Sequence, residues 1–222
     1  MLLPLGAVRE RVSGIRPAGV GCLHRAALAG RRPGPLRQDS DGDLPVPHCP
    51  AWTARDLLAH LVGAPEDILA GRLEGVATDA WTQAQVERHR GESLAQLADA
   101  WMATSDGFDP VLSVIPAPVN SQLLFDVVTH EHDLRHALGA PGERGNDAVE
   151  VALGWVLHNA DLASPGLAAQ LLSYRLDAFD LLRVCTGRRS RAQILDLGLD
   201  VGVVELLLAK SPLSLPETAV HE

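Results

Sequence analysis

The sequence has 222 residues, enough for one sizeable domain or for one domain with a small second one. Its 46% hydrophobic content is typical of a globular protein, and its formal net charge of −9 argues against nucleic acid as a partner. The three cysteines, Cys22, Cys49 and Cys185, are too widely spaced for a disulfide framework or a CxxC metal site. With no signal-peptide pattern near Leu2–Val8, this predicts a cytoplasmic protein that does not associate with a membrane.

Residues 1–43 show no clear helical or strand pattern, and the Gly- and Pro-rich run 30–43 predicts a loop. We therefore expect an irregular N-terminal segment over 1–43. The first well-marked helix begins after Thr53, which fits an N-cap, with Asp56 in the third helical position as in a capping box. His60 lies on the flank of the apolar stripe of this helix, a position that is more typical of a solvated histidine.

Further helices follow in chain order. We predict a turn at 63–65, a loop with some strand character over 110–118, a domain boundary at 140–146 and mixed helical and strand-like patterns over 166–185. The predicted helices cover residues 65–74, 79–90, 93–105, 120–138 and 147–161.

The predicted helix that ends at Gly139 contains three histidines and three acidic residues between Asp126 and His136. An α-helix turns by about 100° per residue, so its side chains can be assigned to faces. Asp126 and His130 fall beside the apolar stripe, whereas His132 and His136 fall on the opposite side and are predicted to face water.

Asp126 and His130 therefore point inward, one turn apart. A buried carboxylate and imidazole are costly unless they pair or bind something. One interpretation is a buried Asp–His hydrogen bond. The other is a pair of ligands for a divalent metal, with His60 on another helix as the candidate third ligand.

Three blocks of sequence carry a resemblance to a known family. They are Val46-Pro-x-Cys-Pro-x-Trp-Thr-x-Arg-Asp-Leu-x-x-His60, Asp126-x-x-x-His130-x-x-Asp-Leu-x-x-Ala-Leu-Gly139 and the block Phe179–Gln193. Together they resemble the mycothiol-dependent maleylpyruvate isomerase family. The resemblance implies a mainly α fold, with a DinB-like four-helix bundle over 44–140 and a small, shortened α+β domain over 147–222.

The resemblance also implies the chemistry. It places His60, Asp126 and His130 on the metal-ligand positions and Cys49 in a loop without a ligand role. Asp133 would then orient His130 through its other ring nitrogen, or would only link the helix to a loop. Two nitrogen ligands and one oxygen ligand leave a coordination position open, as in catalytic zinc sites, and non-haem iron uses the same set. The implied co-substrate is mycothiol, whose thiolate would add to maleylpyruvate and leave again after rotation about the double bond.

Two further questions remain open from the sequence, the role of a basic turn and the function of the protein. Arg188 and Arg189 lie in a basic turn that either binds an anionic group of the substrate or thiol, or is solvated. The function itself is either a thiol-using isomerase or transferase acting on a small electrophile, or a non-catalytic metal-binding bundle with a structural or regulatory role. A helical protein in which Asp126 and His130 pair only with each other is the third possibility.

Overall fold

The computed structural model describes the backbone of residues 39–115 and 119–222. Within those residues the chain is mainly helical, which confirms the predicted fold class at that level, and the β pairing is one isolated bridge between Pro45 and Thr53. The prediction for 1–43 falls outside the described residues except for a 3-10 turn, Asp39–Asp43. The α-helices are α1 Ala54–Leu69, α2 Asp79–Arg88, α3 Leu94–Val114, α4 Val119–Ala137, α5 Asp147–Ala163, α6 Leu167–Ser173, α7 Ala178–Cys185, α8 Arg191–Asp196 and α9 Val201–Leu208. None of these helices is both long enough and apolar enough to cross a membrane.

Close approaches between Cα atoms divide the described residues into two compact units. The N-terminal unit comprises 39–115 and 130–142, and the C-terminal unit comprises 119–129 and 143–222. The division falls within α4, so its first half groups with the C-terminal helices and its second half with the N-terminal ones.

The N-terminal unit is built around α1, which packs against α2 and α3. The predicted cap is confirmed: the Thr53 side chain accepts from the Asp56 amide, and the Asp56 side chain accepts from the Thr53 amide. Burial of each leucine or valine side chain contributes about 1.5–3 kcal/mol. The core consists of Val46, Ala54, Leu57, Leu58, Ala59, Val62, Leu94, Leu97 and Leu134.

The turn predicted at 63–65 does not form, because α1 continues through Pro65 to Leu69. Proline lacks the N–H that would bond to the Leu61 carbonyl, and its ring crowds that carbonyl, so a local rule favours a break. Tertiary contacts oppose it: Asp67 is buried on the following turn and accepts hydrogen bonds from Arg72 Nε and Arg88 Nη2, each at 2.6 Å. The loop predicted over 110–118 is wrong for 110–114, since α3 continues past Pro110 to Val114, and 116–118 lie outside the described residues.

In the C-terminal unit, α5 packs against α6 and α7, and α9 packs against α6, α7 and α8. No strand occurs within residues 143–222, so the β part of the expected α+β domain is not observed there. The segment 166–185, predicted to mix helical and strand-like patterns, contains α6 and α7 and no strand. Side-chain caps at Asn146, Asp177, Ser190 and Asp200 begin four of these helices, which favours helix over strand locally.

A buried charge cluster joins α7 to the end of the described chain. The side chain of Arg183 is fully buried, and its Nε and Nη2 donate to Glu222 Oε1 and Oε2 at 2.8 and 3.1 Å. Arg189 Nη1 also donates to Glu222 Oε1, at 2.5 Å. Burial by itself raises the pKa of the Glu222 carboxyl, but the charges and hydrogen bonds of the two arginines outweigh it and lower that pKa to about 2.

This shift predicts a pH-dependent contribution to stability. Because the folded-state pKa of Glu222 is lowered from 4.5 to about 2, its ionised form stabilises the folded protein above pH 4.5. That contribution should be lost as the pH falls through about 2. We expect Glu222→Gln to lower the free energy of unfolding, measured with urea, at pH 7, and the difference from wild type to shrink between pH 4.5 and pH 2.

Glu217→Gln is the matched control, because Glu217 is exposed in the same segment and the charge change is identical. Its unfolding free energy should stay close to wild type at every pH. A Glu222→Gln effect of constant size from pH 7 to pH 2 would contradict the assignment.

Candidate metal centre

Helix α4 is buried on more sides than its sequence pattern indicates. His132, predicted to face water, is buried, and His136 is half-buried. Asp133 is fully buried as well. The assignment of faces assumed one buried side, as for a helix on the surface of a domain, and that assumption fails for α4.

His60 and His130 come together in the N-terminal unit. His60 is 4% exposed, and its ring meets the His130 ring edge-on with 5.3 Å between centroids. A ring nitrogen of each lies within 4.8 Å of the other, and Asp126, one turn earlier on α4, offers a carboxylate oxygen within 4.8 Å of the His130 nitrogen. The indole of Trp52 lies against both imidazoles, with centroids 5.3 and 5.9 Å away.

A chain of hydrogen bonds fixes which nitrogen of His60 carries the proton. The Asp67 carboxylate can only accept, so the Gln85 group 2.9 Å from it is the Nε2 amide, which donates. That orientation turns Gln85 Oε1 towards His60 Nδ1, at 2.7 Å, and Nδ1 must therefore be the donor. In this tautomer the lone pair of His60 is on Nε2, as a metal ligand requires.

Gly63 makes the approach of Gln85 possible. A Cβ atom at position 63 would lie 2.5 Å from Gln85 Cβ and 3.2 Å from its Cα, closer than side chains pack. Gly63 lies three residues after His60, on the same face of α1. The face of α1 that positions the imidazole is therefore also the face against which α2 packs. Any larger side chain at 63 would move Gln85 away from His60.

His130 is oriented in a similar way by Asp133. His130 Nδ1 lies 3.2 Å from Asp133 Oδ2, and the Cys49 thiol donates to the same oxygen at 3.6 Å. Because a carboxylate only accepts, His130 donates from Nδ1, and in the neutral imidazole the lone pair is then on Nε2. Asp133 thus contacts both His130 and the loop that contains Cys49, the partners named in the two alternative predictions for it.

A second group of ligand-type residues shares His130. Cys49, His130 and Asp133 also offer atoms within 4.8 Å of one another. In that arrangement Asp133 would bind the metal instead of orienting His130. The hydrogen bonds that Asp133 accepts from His130 and Cys49 favour the orienting role.

The donor chemistry suits a divalent metal. Two imidazoles that present Nε2 and one carboxylate form the nitrogen and oxygen set used by catalytic zinc and by non-haem iron. Each imidazole also donates its other N–H to an acceptor, an amide oxygen for His60 and a carboxylate for His130, which is the usual environment of metal-binding histidines. The residues present therefore fit a metal.

Sequence reasoning missed three residues of this site: Asp67, Gln85 and Gly63. Gln85 lies in a short, polar helix and has no spacing relation to His60. Gly63 was interpreted as part of a turn, because it precedes Pro65 by two residues. The sequence offered one signal for this part of the site: Asp67 is an acidic residue that lies one helical turn from apolar positions of α1, where a buried partner would be needed.

Arg188 and Arg189 are both buried, so the solvated-turn alternative is wrong. Arg188 Nη1 donates to the Thr186 carbonyl at 2.7 Å. Arg189 contacts the carboxylates of Glu222 and, at 3.3 Å, Asp180. Of the two, Arg189 is the one that holds an anionic group among the contacts described.

No family model matches the sequence, and no curated protein or solved structure is significantly similar to it. The relation to the mycothiol-dependent maleylpyruvate isomerases therefore stays a prediction based on the three motif blocks. Any function must be argued from the site itself.

Gln85→Leu tests the orienting chain. Loss of the acceptor for His60 Nδ1 should weaken metal binding by about 10- to 100-fold, the usual effect of removing such a partner. The dissociation constant can be measured by competition with a chromophoric chelator. In metal-free wild type, ¹⁵N NMR of the imidazoles should show His60 protonated at Nδ1, and this signature should be lost in Gln85→Leu.

Gln83→Leu is the matched control on the same helix, because Gln83 is exposed and bonds to Glu87. It should leave both the affinity and the His60 spectrum unchanged. If folded Gln85→Leu bound the metal with wild-type affinity, Gln85 would have no role in metal binding.

Proposed function

We propose that the protein is a divalent-metal-dependent enzyme that uses a low-molecular-weight thiol, mycothiol, for isomerisation or thiol transfer on a small electrophilic substrate. The single observation that supports it best is the pair His60 and His130, each with Nδ1 committed to a fixed acceptor and its lone pair on Nε2. Asp126, one turn before His130, completes the proposed ligand set. The thiol and the maleylpyruvate-like substrate come from the motif resemblance.

The protein's own residues have three roles in this proposal. His60, Asp126 and His130 hold the metal, Gln85 and Asp133 set the imidazole tautomers, and the Trp52 indole packs against both rings. A bound zinc or similar ion would supply Lewis acidity. This would lower the pKa of a coordinated thiol, so that the thiol is ionised at neutral pH. Catalytic residues beyond the ligands are not part of the proposal.

The finer fold assignment belongs to the same proposal. A DinB-like bundle over 44–140 is supported by the packing of α1 against α2 and α3 and by the placement of the ligands on α1 and α4. A cytoplasmic location is part of the same proposal, and the support for it is the wide spacing of the three cysteines in the sequence.

Metal content tests the first half of the proposal. Purified wild type should contain about one zinc or other divalent ion per chain, and His60→Ala and His130→Ala should contain none, because two ligands cannot hold the ion. His158→Ala, on α5, is the matched histidine control and should keep the wild-type content. Wild type that stays metal-free after reloading would rule out the enzyme.

A thiol titration tests the second half and separates the two candidate functions. Cobalt-loaded protein should change its visible absorption when mycothiol is added, because an open coordination position admits the sulfur. A non-catalytic metal-binding bundle with a closed site predicts an unchanged spectrum. Normal metal content with no thiol response would therefore favour the structural or regulatory role over the enzyme.

A further inference from the structure

Two buried guanidinium groups converge on one carboxylate in the C-terminal unit. Arg183 meets the two oxygens of Glu222 with two different N–H groups, and Arg189 adds a third hydrogen bond to the same carboxylate. The two-pronged contact from Arg183 and the extra donor form the arrangement by which proteins recognise carboxylate ligands. The Glu222 side chain stands where the carboxylate of a ligand would be held.

The segment that delivers Glu222 is otherwise lightly anchored. Residues 211–222 contain no helix or strand, and most of their side chains are exposed or half-exposed. The Val220 carbonyl accepts from Gln193 Nε2 at 2.9 Å, and the Ser214 carbonyl lies against Gly187. The side chain of Glu222, in contrast, is 4% exposed. Burial in this segment is therefore concentrated on a single carboxylate.

Arginines buried this deeply require an anion. A buried charge that loses its partner is strongly destabilising, because water does not replace the lost interaction. Asp180 reaches Arg189 at 3.3 Å, but it is itself about one-third exposed. A dissolved carboxylate that entered in place of Glu222 would satisfy the same three donors.

The side chain of Thr129, whose carbonyl contacts this cluster, also has an unmet hydrogen-bonding requirement. Arg183 Nη1 donates to the Thr129 carbonyl at 3.3 Å. The Thr129 hydroxyl is buried, and it has no hydrogen-bond partner in the part of the chain that the structure describes. An unsatisfied buried hydroxyl is unusual and marks a place where a bound molecule would add a contact.

We propose that Arg183 and Arg189 form a binding site for a small organic carboxylate, and that Glu222 occupies this site as an internal competitor. The ligand and the 211–222 segment then exclude each other. A ligand carboxylate displaces Glu222, and Glu222 in turn limits binding to ligands present at sufficient concentration. This site needs no metal, so it goes beyond the proposed function and can succeed or fail independently of it.

Titration with sodium malonate tests the competition. Calorimetry on the 222-residue chain should give a malonate dissociation constant at least about tenfold lower for Glu222→Gln than for wild type, because removing the competitor raises the fraction of sites able to bind. Glu217→Gln, the exposed control in the same segment, should bind as wild type does. Arg189→Met in the Glu222→Gln background should abolish binding.

Stability measurements complete the test. Malonate should raise the melting temperature of Glu222→Gln, and sodium chloride at the same ionic strength should not. Glu222→Asp replaces Glu222→Gln if the latter does not fold. Because it retains the charge but is one methylene shorter, its affinity for malonate should lie above that of wild type and below that expected without the competitor. The malonate affinities and melting temperatures should be the same when a metal chelator is present.

Three outcomes would overturn the proposal. Folded Glu222→Gln or Glu222→Asp that binds malonate no better than wild type would leave the cluster as a structural ion pair. An equal effect of chloride would remove the specificity for carboxylates. A requirement for added metal would assign the effect to the metal centre instead.

Discussion

The buried carboxylate of Asp67 is the constraint on which the N-terminal unit depends. It is 1% exposed, so it must be paired, and it is paired with two arginines and one amide. The arginine contacts hold the last turn of α1 beyond Pro65 and bring α2 against α1. The amide contact sets the direction of Gln85 and, through it, the proton of His60. One buried charge thus determines both the path of a helix and the chemistry of a histidine.

Local rules predicted much of the helical structure. The Thr53–Asp56 capping box and the helical spacing of apolar residues were sufficient to identify α1 and the mainly α fold. They failed at Pro65 and Pro110, both of which lie inside helices. After Pro65, the local cost of proline within a helix is opposed by the contact of buried Asp67 with Arg88, 21 residues away in sequence. They failed again for His132, because the number of buried faces of a helix depends on its neighbours.

The candidate site could be predicted only in part, for a related reason. Asp126, His130 and Asp133 are related by helical spacing, which a sequence displays directly. His60 lies on another helix and was assigned through the motif resemblance. Gln85 and Glu222 act on partners 25 and 39 residues away, and nothing in their surroundings distinguishes them from ordinary polar residues. Such pairings depend on the fold and cannot be predicted from local sequence patterns.

The close approach at Gly63 has a consequence for comparing this chain with others. The Gln85 atoms that a side chain at 63 would strike first include its Cβ and Cα, which nearly every residue type has, so exchanging Gln85 would not relieve the contact. Related sequences that retain the histidine and this packing of α1 on α2 should therefore retain glycine three residues later, whichever residue stands at 85. A histidine followed by glycine at this spacing would identify the chains that share the close approach of the two helices, even where the histidine motif alone is too short to be diagnostic.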